Sequence, residues 1–207
     1  YIYAVDALTG KSEKSFGEDG KVDLRKNLGR PYNEMIVIAN TPGVVYDNIL
    51  IQGSRVHEGP GASPGHIRAY DLNTGEMVWR FNTIPHPGEY GYETWPKDAW
   101  KYMGGANSWA GMTLDESTGI AYIPTGSASY DFWGGNRSGE NLFANSLIAL
   151  NAKNGERVWH FQFIHHDLWD RDLPAPPNLV EINRNGSKIK AVTQVTKSGH
   201  LFVFDRL

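Results

Sequence analysis

Residues 69–79 read AYDLNTGEMVW, residues 149–159 read ALNAKNGERVW, and residues 4–14 read AVDALTGKSEK. Each segment has Ala, then Asp or Asn two places on, then Gly six places after the Ala. The first two end in Trp79 and Trp159, where the segment at 4–14 has Lys14. A fourth copy opens at Val203-Phe204-Asp205-Arg206 and stops at Leu207. Asp6, Asp71 and Asn151 have side-chain oxygens suited to accept backbone N–H groups two residues on. Gly10, Gly75 and Gly155 take the positive φ that closes such a hairpin. Alternating strands flank the turn, for example Ile67–Tyr70 before it and Met77–Phe81 after it. The indole then packs between neighbouring sheets. One D-x-x-T-G turn is commonplace; three copies and part of a fourth define a repeat.

The copies start 65, 80 and 54 residues apart, at positions 4, 69, 149 and 203. A four-stranded propeller blade takes roughly 40–50 residues, so each unit carries surplus loop. The surplus lies at Gln52–His66, Pro85–Ser108 and Ser127–Asn145, and long loops on a repeating β scaffold host binding sites. Helical patterning is thin. The expectation is an all-β chain, about three blades of a β-propeller, forming one partial domain over residues 1–207. Its units end near 14, 79 and 159, with an incomplete one at 160–207. Both ends fall inside the repeat, so the chain reads as a slice of a longer one.

Composition narrows the function classes. The chain has 207 residues, 40% of them hydrophobic, which suffices for a packed core. A formal charge of −3 provides no basic face for nucleic acid. No apolar run is long enough to span a bilayer, so membrane association is expected only through regions outside this chain. The absence of cysteine excludes disulfides and thiolate metal sites. The 23 glycines, 11 prolines and 12% aromatic content suit short strands joined by tight turns.

The densest chemistry lies in His165–Pro176, HHDLWDRDLPAP. Asp167, Asp170 and Asp172 repel one another, and a folded protein tolerates such a cluster best where a cation or a reacting proton uses it. Taken alone, the segment also suits a solvated acidic loop anchored by Trp169.

These repeats, together with HHDLWD, resemble the quinoprotein dehydrogenases. That family uses pyrroloquinoline quinone (PQQ) and Ca²⁺ on an eight-bladed propeller with tryptophan-docking repeats. The resemblance is strongest to the membrane-bound glucose dehydrogenase branch. It runs through HHDLWDRDLPAPP, GSASYDFWGGNRSGENLF at Gly126–Phe143, and VTKSGHLFVFDR at Val195–Arg206. It implies an enzyme that oxidises an aldose or similar alcohol, passes electrons to a quinone or cytochrome, and works in the periplasm or another exported setting. The alternatives are a primary-alcohol dehydrogenase and a non-catalytic propeller scaffold, the latter favoured by Lys14 in a docking slot and by Ser127.

The resemblance also implies residue roles. Asp170 matches the catalytic base and a Ca²⁺ neighbour; a carboxylate suits proton abstraction if it stays ionised. Glu58 in GSRVHEG falls at an acidic Ca²⁺ ligand. Ser127 stands where most members carry an asparagine ligand, with Asp131 nearby to compensate. Trp109 in GGANSWAG matches the indole beneath the cofactor, with Asn107 as a further cofactor contact. Lys197 matches a cation on the quinone oxygens. On residue type alone, Trp109 equally suits a core indole and Lys197 an exposed lysine. Of His165 and His166, adjacent on the chain, at most one is expected to face the site. The loop Trp95–Trp100 reads as a rim or lid.

Overall fold

The computed structural model describes residues 1–31 and 34–206. In chain order the strands are β1 (Ile2–Tyr3), β2 (Lys21–Val22), β3 (Val37–Ile38), β4 (Val44–Tyr46), β5 (Ile49–Gln52), β6 (Arg55–Val56), β7 (Ile67–Asp71) and β8 (Met77–Phe81). There follow β9 (Thr113–Asp115), β10 (Ile120–Pro124), β11 (Ser146–Asn151), β12 (Arg157–Gln162), β13 (Asn178–Arg184), β14 (Ser187–Val195) and β15 (Leu201–Asp205). Two antiparallel four-stranded sheets, β4-β5-β7-β8 and β9-β10-β11-β12, are followed by the three-stranded sheet β13-β14-β15. The pairs β1-β2 and β3-β6 form small ribbons. Among the described residues, helix is confined to two single 3₁₀ turns, Tyr92–Thr94 and Ala99–Lys101. The chain is therefore all-β, a partial propeller.

Blade packing explains why the middle strands lack a polar face. Along β11, Ile148 and Leu150 join the core shared with the preceding sheet, alongside Ile51, Ile67 and Trp79. Leu147 and Ala149 join the core shared with β13–β15, alongside Val192 and Phe204. Strand β10 divides the same way, Ala121 and Ile123 to one side and Tyr122 to the other. A period of two with both faces buried removes the apolar–polar alternation of a half-exposed strand.

The repeat turns form as their sequence dictates. Asp71 Oδ1 accepts from the backbone N–H groups of Asn73 (2.9 Å) and Thr74 (2.8 Å), and Asn151 Oδ1 accepts from Lys153 (2.9 Å). Gly75 and Gly155 sit at φ 74° and 73°. The β9–β10 hairpin uses the same chemistry: Asp115 Oδ1 accepts from Ser117 N–H at 3.1 Å and Gly119 has φ 67°. Trp79 then leaves its own sheet. A Cβ on Gly155 would stand 2.5 Å from the Trp79 ring, and the indole Nε1–H donates to Ala152 O at 3.0 Å. The repeat alanine is small because it faces this indole across the strand pair, Ala69 opposite Trp79 and Ala149 opposite Trp159.

Lys14 does not leave its blade undocked. Phe16, two residues on, is buried and lies against Gly75, while Gly17 N–H donates to Thr74 O at 2.8 Å. The aromatic plug is displaced by two positions, which removes one support for the scaffold alternative. The Trp95–Trp100 reading needs correction as well. Trp95 is buried with Ile84, Ala99, Met103 and Ala144 in a satellite core, so this loop is a packed wall and no lid. Its indole is covered by near neighbours in the chain, Ile84, Ala99 and Met103, and by Ala128 and Ala144 from a later loop.

The three surplus loops are laced to one another by their backbones. Gly65 N–H donates to Gly105 O (2.9 Å), Ala106 N–H to Ser127 O (2.7 Å) and Ser129 N–H to Gly104 O (3.0 Å). A Cβ on Gly65 would come within 2.3 Å of Asn107 Cα, so only glycine permits this approach.

Trp79→Ala in the full-length protein is expected to lower unfolding stability by about 3–5 kcal/mol through the cavity it leaves. Trp79→Phe is expected to lose less, because the ring still covers Gly155. Urea denaturation measures both; equal losses would show that the stacked ring contributes nothing beyond its hydrogen bond.

Candidate active site

Glu58, Asn107, Trp109, Ser127, Asp170 and Lys197 all line one cavity of about 230 Å³. They come from the connections β6–β7, β8–β9, β10–β11, β12–β13 and β14–β15. In antiparallel blades these alternate connections share one end of the sheets, and the docking turns β7–β8 and β11–β12 share the other. Six residues spread over 140 positions of sequence are thereby gathered at one mouth.

The segment 165–176 divides its three carboxylates among different tasks. Asp167 is buried and organises the loop. Its Oδ2 accepts from Ser127 Oγ (2.6 Å), Asn145 Nδ2 (2.9 Å) and Arg171 N–H (2.6 Å), and its Oδ1 from Trp169 N–H (2.9 Å). These bonds wrap the backbone so tightly that Asp170 adopts φ 52°, in the left-handed region, and its side chain enters the cavity. Lys197 Nζ donates to Asp170 Oδ2 at 2.8 Å and to Asp172 Oδ2 at 3.2 Å. Asp172 Oδ2 also accepts from Trp109 Nε1–H at 3.0 Å, and its Oδ1 accepts from Ser127 N–H at 2.6 Å.

Charge is crowded here. Glu58, Asp131, Asp170 and Asp172 line the cavity with Lys197 and Arg55 as the cations. Asp131 is pushed up to about 7, by burial first and then by the charges of Glu58, Asp170 and Asp172, with Arg137 opposing. Asp170 is raised by burial, against the pull of its hydrogen bond to Lys197, and Asp172 raises it further. Burial acts to lower Lys197, but hydrogen bonds and attraction from Asp170 and Asp172 prevail and its value rises.

The sequence places Asp131 in a supporting role and Asp167 and Asp172 only in the acidic cluster, and it assigns no individual role to Asn145 or Arg137. Arg137, wholly buried, donates to Tyr130 O (2.9 Å), to Asn141 Oδ1 (2.8 Å) and to Asp167 O. The string D-x-W-G-G-N-R is thus held from within by its arginine; the signal in the sequence was an Arg closing a glycine-rich, aromatic loop. Neither His165 nor His166 lines the cavity. His165 stands 3.7 Å from Glu140, and His166 Nδ1 lies 2.8 Å from Gly139 O.

For a cation, four carboxylates against two basic groups form an oxygen-rich, net-negative donor set suited to a hard divalent ion. Among the described residues no three acidic or histidine side chains stand close enough together to enclose a metal as they are. Ser127 Oγ already donates to Asp167 and accepts from Asn145 Nδ2 at 3.1 Å. For a flat redox cofactor, the indole, the lysine and Asn107, whose Nδ2 donates to Ser54 O at 2.9 Å, share the same walls.

Residues 1–207 match the family described as PQQ, glucose/ethanol/alcohol dehydrogenase, β-propeller domain. The chain belongs to this family. As a member of the PQQ dehydrogenase propellers it is 37% identical over 210 residues to quinoprotein glucose dehydrogenase A of Acinetobacter calcoaceticus, covering 99% of this chain and 26% of that protein. It is 35% identical over 210 residues to the quinate/shikimate dehydrogenase (quinone) of Acinetobacter baylyi, covering 100% of this chain and 26% of that one. The solved quinohemoprotein alcohol dehydrogenase ADHIIG of Pseudomonas putida superposes with a TM-score of 0.78 at 30% identity, over 99% of this chain and 30% of that one. The chain thus spans about a quarter of the length of the relatives it matches.

The shift at Asp131 gives a pH test. Its folded value lies above the unfolded carboxylate value, so the native state holds this proton more tightly than the unfolded chain does. The cost of ionising it is absent below about pH 4 and complete above about pH 7. Asp131→Asn in the cation-free full-length protein is therefore expected to raise the thermal midpoint at pH 8 and leave it near wild type at pH 4. An equal gain at both would remove Asp131 from the charge balance.

Proposed function

We propose that the protein containing this propeller segment is a PQQ- and Ca²⁺-dependent dehydrogenase that oxidises an aldose or similar polyhydroxy alcohol. The observation that carries this reading is the meeting of Glu58, Asn107, Trp109, Ser127, Asp170 and Lys197 in one cavity. A scaffold would have no use for an excess of carboxylate around an indole and a lysine. The similarity to proteins named for glucose and for quinate/shikimate supports a ring bearing several hydroxyls. A primary alcohol is the second reading, supported by the structural likeness to an alcohol dehydrogenase. Electrons would pass on to a quinone or cytochrome, and the location would be periplasmic or otherwise exported. Among the described residues no helix is long and apolar enough to cross a membrane.

When bound, PQQ would supply the two-electron, hydride-accepting oxidant and Ca²⁺ the Lewis acid. Trp109 would hold one face of the ring and Asn107 its edge, while Glu58 and Asp170, with Asp131 assisting where Ser127 stands, would hold the cation. Asp170 acts as the base toward the substrate hydroxyl: partial burial makes its carboxylate a better proton acceptor, and the Lys197 hydrogen bond keeps it ionised. Lys197 remains cationic because two carboxylates grip it, so it also stabilises negative charge beside the acceptor. The satellite core around Trp95 and the packed loop around Arg137 keep bulk water out of the flanking walls.

Asp170→Asn in the full-length protein reconstituted with PQQ and Ca²⁺ is expected to cut kcat for dye-linked sugar oxidation by about 10²–10⁴ with little change in PQQ affinity. Near-normal turnover would overturn the role of Asp170. A panel of aldoses, polyols and primary alcohols, read as kcat/KM, separates the two substrate readings.

A further inference from the structure

Asp172 lies two residues past the proposed base, yet it is tied to three other parts of the cavity wall. Trp109 Nε1–H and Lys197 Nζ donate to its Oδ2 at 3.0 and 3.2 Å, and Ser127 N–H donates to its Oδ1 at 2.6 Å. Gly126 makes the grip possible: a Cβ there would stand 2.5 Å from Asp172 Oδ1 and 3.3 Å from Trp109 Nε1. Resting on the dehydrogenase reading above, we propose that Asp172 is a positioning residue that sets the plane of the Trp109 indole and the place of the Lys197 ammonium around the cofactor.

The physical reasons are geometric. An indole turns about two torsions, and a charge-assisted hydrogen bond at its far edge holds both. Thr41 Oγ1 and Asn40 Nδ2 donate to Trp109 O at 3.2 and 3.1 Å, so backbone and ring are held from opposite ends. A lysine has four rotatable bonds, and two carboxylates on neighbouring positions confine its head more narrowly than one. With donors on both oxygens and 8% exposure, Asp172 is engaged by the wall, whereas Asp170 is left to meet a substrate. Asparagine keeps the volume of Asp172 but removes its charge and one acceptor, so its single oxygen can face either the indole and the ammonium or the Ser127 N–H, and the NH₂ meets a donor on the other side.

The test uses full-length protein carrying ¹⁵N-tryptophan, with the Trp109 indole resonance assigned through Trp109→Phe. Asp172→Asn is expected to move that indole proton upfield in the cofactor-free protein, and to weaken PQQ binding, measured by equilibrium ultrafiltration, by about tenfold. In a Trp109→Phe background the same change is expected to weaken binding little further, because the group it acts through is gone. An unmoved indole resonance, or fully additive losses in the double variant, would overturn the proposal. Should Asp172→Asn not fold, Trp109→Phe decides alone, since an affinity equal to wild type would show that the indole N–H positions nothing. Wild-type protein that binds no PQQ overturns the dehydrogenase reading and the cofactor half of this proposal; the indole shift still reports whether Asp172 holds Trp109.

Discussion

The indole laid on the next blade's glycine turn is the contact on which the rest of this structure depends. A four-stranded sheet of this size has two apolar faces and cannot bury either one alone. Trp79 solves both halves of the problem in one side chain: its ring covers Gly155, and its N–H satisfies Ala152 O in the same turn. That fixes how far one sheet slides against the next. The register then carries to the other end of the blades, where the site loops meet, because β7, β8, β11 and β12 are rigid paired strands between the two ends.

At that far end the constraint is electrostatic. Acidic side chains outnumber basic ones around the cavity, and the fold copes by giving the acids different sets of donors. Asp167 is hydrogen-bonded by hydroxyl, amide and backbone donors, and Asp172 by an indole, a backbone N–H and a lysine. Asp170 shares that lysine and faces the open space. Asp131 is pushed up to about 7 by its burial first and then by the acids around it. In the proposed function, the same unevenness would make the cavity receptive to a cation and one carboxylate basic enough to take a proton. Rigid flanks are part of this arrangement: Arg137 in one loop and Trp95 in another, each buried, keep the dielectric low around the charged groups.

Much of this was legible in the residues. The D-x-x-T-G turns, their glycines and the strands beside them are local chemistry, decided within about ten residues, and they appear where the repeat places them. The surplus loops lie there too, and Glu58, Asn107, Trp109, Ser127, Asp170 and Lys197, singled out through the family resemblance, line one cavity. Less legible were substitutions that conserve a function at a shifted position. Lys14 marks a missing tryptophan, but Phe16 fills the same space two residues later, since packing requires an aromatic ring against Gly75 and is indifferent to its exact register.

What the amino-acid sequence determined by itself was the unit, the hairpin with its turn and its docking aromatic, because those interactions join neighbours along the chain. What only the tertiary structure decided was the division of labour among groups that meet from different blades. Asp172 is distinguished from Asp170 by Trp109 and Ser127, which stand 63 and 45 residues away. Trp95 is a wall because Leu142, 47 residues on, accepts its indole N–H. Hydrogen bonds and Coulomb forces act over a few ångströms of space, and distances of that kind do not exist until the blades have docked.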